Sequence, residues 1–174
     1  TTADNRGVLL FGGYQWDAMS GAELAQGHNS AFVDKQNRSF VVYHTRFSNG
    51  GEGHQVRVHQ LFLNDEGWLM AAPFEFDGET ITDEAIASKA SISDTDIAGD
   101  YQFMRHQYGQ NTKAKAFETP VNITLHADGT ITGAEKGTWK RTAGTDYIHL
   151  TINNVVYRGV LVKQTIEYTN IPAI

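Results

Sequence analysis

What most constrains this chain is how its apolar residues are spaced. Across 174 residues no long segment sets them at the three- and four-residue intervals of an amphipathic helix. Short runs rich in β-branched and aromatic residues recur instead between clusters of Gly, Asn and Asp, the pattern of strands separated by turns. The chain therefore reads as all-β. In its first part strands are expected over residues 7–14, 29–33, 39–47, 54–63 and 68–76, joined by the turn-rich connections DKQNR, SNGGEG and NDEG.

Two of these runs, FVVYHTRF and VRVHQLFL, are apolar on both faces. A free-standing antiparallel sheet alternates apolar with polar residues, whereas a propeller blade stacked between neighbours needs apolar side chains on both sides. From Asn29 onward the four successive strands have the make-up of one blade, and residues 7–14 would be the last strand of the blade before it. A single blade of this kind leaves sticky faces and open strand edges, so something else must cover it.

The stretch DGETITDEAIASKASISDTDIAGD is acidic, rich in Ser, Thr and Ala, and poor in large apolar residues. It reads as a connecting segment, with a linker over 80–100 and a short helical turn near 83–88. The expected organisation is thus a propeller portion over 1–79, the linker, and a second module over 101–174. That module shows strands near 101–106, 121–126, 130–134, 137–141, 147–152 and 155–162. The Asp-Gly of HADGTITG and the pair Asn153-Asn154 mark tight hairpins. Tyr147, His149 and Thr151 alternate with Ile148, Leu150 and Ile152, which suits a small β-barrel or sandwich with one wet face.

A formal net charge of −6 argues against a nucleic-acid partner, because such binders carry a basic face or stripe. The longest basic cluster, Lys113-Ala-Lys115, is too small to change that. Without cysteine neither a disulfide framework nor a thiolate metal site is possible. No apolar run approaches the roughly 20 residues of a membrane helix, and no basic-then-apolar leader precedes the first strand. No membrane partner is expected. The opening Thr1-Thr2-Ala3-Asp4, with a strand-like run close behind, resembles a cut.

Four histidines, His28, His44, His54 and His59, fall within 32 residues, yet their spacings match no local metal motif such as H-x3-H. His44 and His59 lie inside apolar strands and read as core histidines; His54, at a glycine-rich loop end, reads as exposed. His28 is at the start of the innermost strand, where a side chain projects into the central channel of a propeller. A polar group there needs protein, water or an ion as partner. Glu52, in GGEGH, is the one acid on a loop built for display, but glycoside hydrolysis needs two carboxylates, and a solvated hairpin tip accounts for it. Thr1 as an N-terminal nucleophile would require a layered α/β fold, for which the chain has no helices. Arg46 and Arg57 could bind carboxylate or sugar hydroxyls, though pairing to acids between blades is the more frequent use of strand arginines. The sequons at Asn37 and Asn122 matter only in a secreted eukaryotic protein.

Read together and in order, GGYQW, GHNSAFVD, FVVYHTRFSNGGEGHQVRVHQLFLNDEGW and MAAPFEFDGE resemble the end of the catalytic propeller of family 43 glycoside hydrolases, specifically the α-1,5-L-arabinanases. The resemblance covers residues 7–79 almost continuously, and residues 83–174 look like the small β-module that follows the propeller in longer arabinanases. It implies the last blade of a five-bladed β-propeller, and hydrolysis of arabinan or arabino-oligosaccharide, typically with inversion. In that family the histidine of GHNS binds a calcium ion in the channel with water filling most of the sphere; here that residue is His28. The family's three catalytic carboxylates come from earlier blades, and no position in this chain matches them. The resemblance therefore implies a chain without catalytic residues, inactive alone, and partnered by a preceding N-terminal segment or chain. An extracellular or periplasmic location is expected. Endo or exo action depends on loops outside this sequence. The competing reading is a non-catalytic β-protein whose second module binds carbohydrate through Tyr101, Phe103, Tyr108, Trp139, Tyr147 or Tyr157, or a scaffold for protein contacts; such aromatics more often pack in cores or across strands.

Overall fold

A computed structural model of the chain describes residues 9–51, 53–106 and 117–174. Thr1, Gly7, Glu52, Tyr108 and the Lys113–Lys115 cluster lie outside the described residues.

The first sheet is an antiparallel meander of β1 (Glu23–Val33), β2 (Ser39–Phe47), β3 (His54–Leu63) and β4 (Leu69–Ala71), paired in sequence order. Its turns are built by short polar side chains that bond their own backbone. Asp34 Oδ1 accepts from the amides of Gln36 and Arg38, with Asn37 at φ +61°. Asn64 Oδ1 does the same for Glu66 and Trp68, beside Gly67 at φ +81°. Strand β4 is shorter than expected because Pro73 brings no amide to the ladder, although Ala72 and Phe76 still donate to the carbonyls of Gln60 and Val58.

Residues 9–13 do not form the strand expected over 7–14. Only Tyr14 is bridged, antiparallel to Glu23 and parallel to Glu118. The backbone here finds its partners elsewhere: Gly12 N–H donates to His106 Nδ1, and Glu118 N–H donates to the Gly13 carbonyl. Conversely β1 starts six residues before the expected Asn29, in a stretch whose composition gives no strand signal.

The segment expected as a linker contains two capped helical turns, α1 (Asp83–Ser88) and α2 (Asp94–Ile97). Thr82 and Ser93 supply the N-cap oxygens, accepting from Ala85 and Asp96 amides. Ile86, Ile92 and Ile97 are buried, so three isolated isoleucines pin this stretch against the rest of the molecule. Ile86 packs with Phe62, Ala72 and Val162 at the seam between the sheets.

The second sheet runs β5 (Gly99–Phe103), β6 (Val121–Leu125), β7 (Thr130–Gly133), β8 (Gly137–Arg141), β9 (Tyr147–Ile152) and β10 (Val155–Val160), an up-and-down meander in sequence order. Gly129 at φ +84°, and Asn153 and Asn154 at +51° and +65°, make the hairpins that the sequence marks. Phe103 and Tyr157 belong to the two outermost strands, yet their rings meet edge-on at 5.8 Å with Arg105 over both. The sheet is therefore curled into a barrel around Ile92, Ile97, Ile123, Leu125, Ile131, Ile148 and Ile152. Gly137 permits the tightest approach in that wall, since a Cβ there would fall inside the Thr151 carbonyl. A final small hairpin, β11 (Gln164–Thr165) with β12 (Pro172–Ala173), folds back onto the first sheet.

Candidate channel-facing histidine site

The backbone is least regular where β1 carries His28. The ladder to β2 pairs Leu24 with Arg46, Gly27 with His44 and Ser30 with Val42, so two register breaks fall within seven residues. Ala25 and His28 both sit at positive φ, +54° and +47°. Bulges of this kind bend a strand and re-aim its side chains, and non-glycine residues in the left-handed region cluster at functional positions. His28 thus lies within an irregular strand rather than at its head, with its ring exposed.

His28 Nδ1 is 2.9 Å from His44 Nε2, and the rings are 5.0 Å apart. His44 in turn meets His54 edge-on at 4.8 Å. Arg46 Nε donates to His54 Nε2 at 3.0 Å. Three imidazoles from β1, β2 and β3 therefore form a row closed by a guanidinium. This corrects the expectation for His44, which belongs to the row and not to the core: residues 44 and 46 share the face of β2 that looks toward His28. His59 does match the core reading. It is buried, with Nδ1 2.8 Å from the Ala72 carbonyl and its ring between Phe11 and Tyr43. His54 is exposed, as expected.

Desolvation, reinforced by His54, His28 and Arg46, lowers the His44 pKa, so His44 is favoured neutral. If its Nε2 accepts from His28 Nδ1–H, the His28 Nε2 lone pair is left for an outside partner; the opposite tautomer would put the His28 proton on Nε2 and block it. Whether a calcium ion suits this place is a question of donor chemistry. Calcium takes about six to eight oxygens, and among the described residues no group of three or more His, Asp or Glu is arranged to hold a metal. The chain offers one exposed imidazole held by its neighbour, not a cage.

The most heavily buried polar cluster lies behind this strand and had no local signal in the sequence. Glu23 is fully buried, accepting from Tyr43 Oη at 2.6 Å, Tyr14 Oη at 3.2 Å and Gln26 Nε2 at 3.3 Å. Arg57, also buried, has Nε 3.3 Å from Glu23 and pairs at 2.5 Å with both Glu75 and Glu167. Burial pushes the Glu23 carboxyl upward, and Tyr43 and Arg57 pull it back. Glu167 comes from the β11–β12 hairpin and also accepts the Glu75 amide. Beside it, Gln164 accepts from the Phe74 amide and donates to the Phe74 carbonyl and Glu79. The second module thus supplies part of the first sheet's core, and Arg57 pairs within this chain rather than with another blade.

A blade-like meander with a bulged inner strand, joined to a curled six-stranded barrel, defines a class, and comparison places the chain in it. The model of the GH43 C-terminal lipocalin-like domain matches residues 73–171, and the chain belongs to this family. The matched range begins before α1 and takes in residues 80–100. Among curated proteins the chain is 39% identical, over 94% of its length, to the extracellular endo-α-(1→5)-L-arabinanase of Thermotoga petrophila. It is 38% identical, over 91%, to extracellular endo-α-(1→5)-L-arabinanase 2 of Bacillus subtilis. The chain spans about a third of the length of these relatives, 34% and 32%, at their C-terminal part. Its structure is similar to a family 43 glycoside hydrolase from Bacillus licheniformis, with a TM-score of 0.80 at 34% identity, covering 94% of this chain and 34% of that one. It is likewise similar to the T. petrophila endo-1,5-α-L-arabinanase, with a TM-score of 0.79 at 38% identity, covering 97% and 35%. The resemblance read from the sequence motifs and the all-β architecture are both upheld.

Proposed function

We propose that this chain is the C-terminal portion of an extracellular arabinan-degrading glycoside hydrolase, acting on α-1,5-L-arabinofuranosidic bonds with inversion. The observation that carries the reading is the near-complete match of the chain to the C-terminal third of endo-arabinanases. Exposed apolar side chains on the first sheet support it. Phe32, Val33 and Val56 are 48%, 60% and 68% exposed, on strands whose sequence is that of a blade with neighbours.

The catalytic carboxylates lie on a preceding N-terminal segment or partner chain. An inverting pair stands roughly 6.5–9.5 Å apart around a water, and the acids clustered behind the histidine row are committed elsewhere: Glu23 to Tyr14, Tyr43 and Arg57, Glu75 and Glu167 to Arg57. His28 is the calcium ligand of this chain, presenting Nε2 while His44 fixes the ring through Nδ1. His28 would hold the ion through Nε2, and a calcium ion there would supply positive charge to its surroundings. The residues of this chain hold His28 in place: the bulges at Ala25 and His28 aim it, and Glu23, anchored by Arg57, fixes the strand through Gln26.

The test is arabinan hydrolysis, read as reducing ends, by this chain with and without the N-terminal blades. Activity is expected only from the combination. Hydrolysis by the 174 residues alone, or none from the combination, overturns the reading. In the assembled protein, His28→Ala should lower bound calcium by metal analysis without lowering bound polysaccharide.

A further inference from the structure

One cavity lies away from the histidine row. It is an open cleft of about 780 Å³ between the first sheet and the barrel. On one side are Trp16 and Phe74, whose rings meet edge-on at 5.9 Å, with Trp16 Nε1 tied to the Pro73 carbonyl. Tyr101, its hydroxyl held by the Ile97 carbonyl, forms part of the other. These hydrogen bonds spend the polar edges of Trp16 and Tyr101 on the protein, leaving mostly apolar walls. Around them stand Asp96, Asp100, Asn122 and Lys163. The Asn122 carboxamide and the Lys163 ammonium form no hydrogen bond or ion pair among the described residues, while Asp100 is oriented by Thr124 Oγ1 at 2.6 Å.

We propose that this cleft is a second carbohydrate site, which holds a short stretch of neutral arabinan chain outside the catalytic channel. The proposal rests on the arabinanase reading for the identity of the sugar. Aromatic walls with a few convergent polar groups, placed between two modules, are the usual make-up of a small-ligand site. The polar groups decide the class of ligand. Two carboxylates against one ammonium give no excess positive charge for phosphate or uronate, whereas an amide, a carboxylate and an ammonium together offer donors and acceptors to hydroxyl groups. A furanose ring has an apolar face for the aromatic walls and hydroxyls for the rim. None of the cleft residues belongs to the histidine row, so binding here would keep polymer attached while the channel works on another part of the chain.

The experiment is an amide-shift NMR titration of the whole chain with linear arabino-oligosaccharide, and with xylo-oligosaccharide and oligogalacturonate as comparisons. Arabino-oligosaccharide should shift the amides of Gln102, Asn122 and Lys163 and leave His44 and His54 unmoved; oligogalacturonate should not bind. The double variant N122A/K163A should weaken binding about tenfold with an unchanged melting temperature, since neither side chain has a partner among the described residues. Absence of cleft shifts with arabino-oligosaccharide, when the same chain joined to the N-terminal blades hydrolyses arabinan, overturns the cleft alone. Cleft shifts with xylo-oligosaccharide only, together with no arabinan hydrolysis, overturn the choice of arabinan and with it the arabinanase reading.

Discussion

The two sheets solve the burial problem differently. The barrel closes on itself: its core is a set of isoleucines and two leucines drawn from its own strands, from α2 and from the residues flanking them, and its outermost strands touch through Phe103 and Tyr157. The first sheet keeps a charged cluster at its centre and large apolar side chains on its outside. Its Arg57 answers three carboxylates, one of which, Glu167, reaches in from the far end of the chain. The barrel is a complete packing unit, then, while the first sheet is covered in part by the C-terminal hairpin and keeps Phe32, Val33 and Val56 exposed. A sheet that is open by design can keep an irregular, polar inner strand, which a self-contained barrel would have to bury.

That contrast can be attacked by experiment. The largest effect is expected from Arg57→Ala, which strands buried Glu23 without its cation; removing one partner of a buried ion pair costs about 3–5 kcal/mol. Urea unfolding of the variant should show the first sheet lost before the barrel. An unchanged single transition would mean that the two sheets share one core after all. Next, Ile152→Ala in the barrel should cost about 2–4 kcal/mol, measured by the same denaturation, with the order of loss reversed.

How far the sequence anticipates this molecule depends on the range of the interactions. Strands β2, β3, β8 and β9 were legible because their runs of β-branched and aromatic residues and their Asn, Asp and Gly turns are local facts. The start of β1 was not, since Leu24-Ala25-Gln26 carries no strand pattern and is held by bulges that only the β2 partner explains. Ile86, Ile92 and Ile97 stand singly among polar residues, so a stretch they anchor resembled a spacer. The Arg57–Glu167 pair spans 110 positions and no spacing rule reaches that far. For His28 the sequence offers a strand context alone, and the bulges that set its backbone appear only in the pairing with β2; calcium is what the family resemblance implies.

A pH series gives a smaller and more specific test. Burial lowers His106 from 6.5 to about 4, and its Nδ1 accepts the Gly12 amide, which requires the neutral ring. The unfolded chain takes up the proton first, so stability should fall progressively as pH drops from 6.5 toward 4 and be insensitive to this group above 6.5. Melting temperatures of the parent and His106→Gln should converge in slope only above that window; parallel curves throughout would remove His106 from the account. The smallest effect belongs to Asp65→Asn. Asp65 bonds His149 at 2.5 Å and lies 3.5 Å from Arg158, linking the β3–β4 turn to the barrel rim. Such partly exposed pairs contribute about 0.2–1 kcal/mol, so a loss above that range in a thermal melt would show that the rim contact, and not Arg57, joins the sheets.

Gln164 carries a consequence for how this protein ages. Its side-chain amide accepts one hydrogen bond and donates two, to the Phe74 carbonyl and to Glu79 at 2.8 Å. Deamidation would replace the nitrogen by an oxygen that cannot donate and would set a second carboxylate against Glu79. A single spontaneous hydrolysis at this position would therefore loosen the joint between blade and barrel with no change in any other residue.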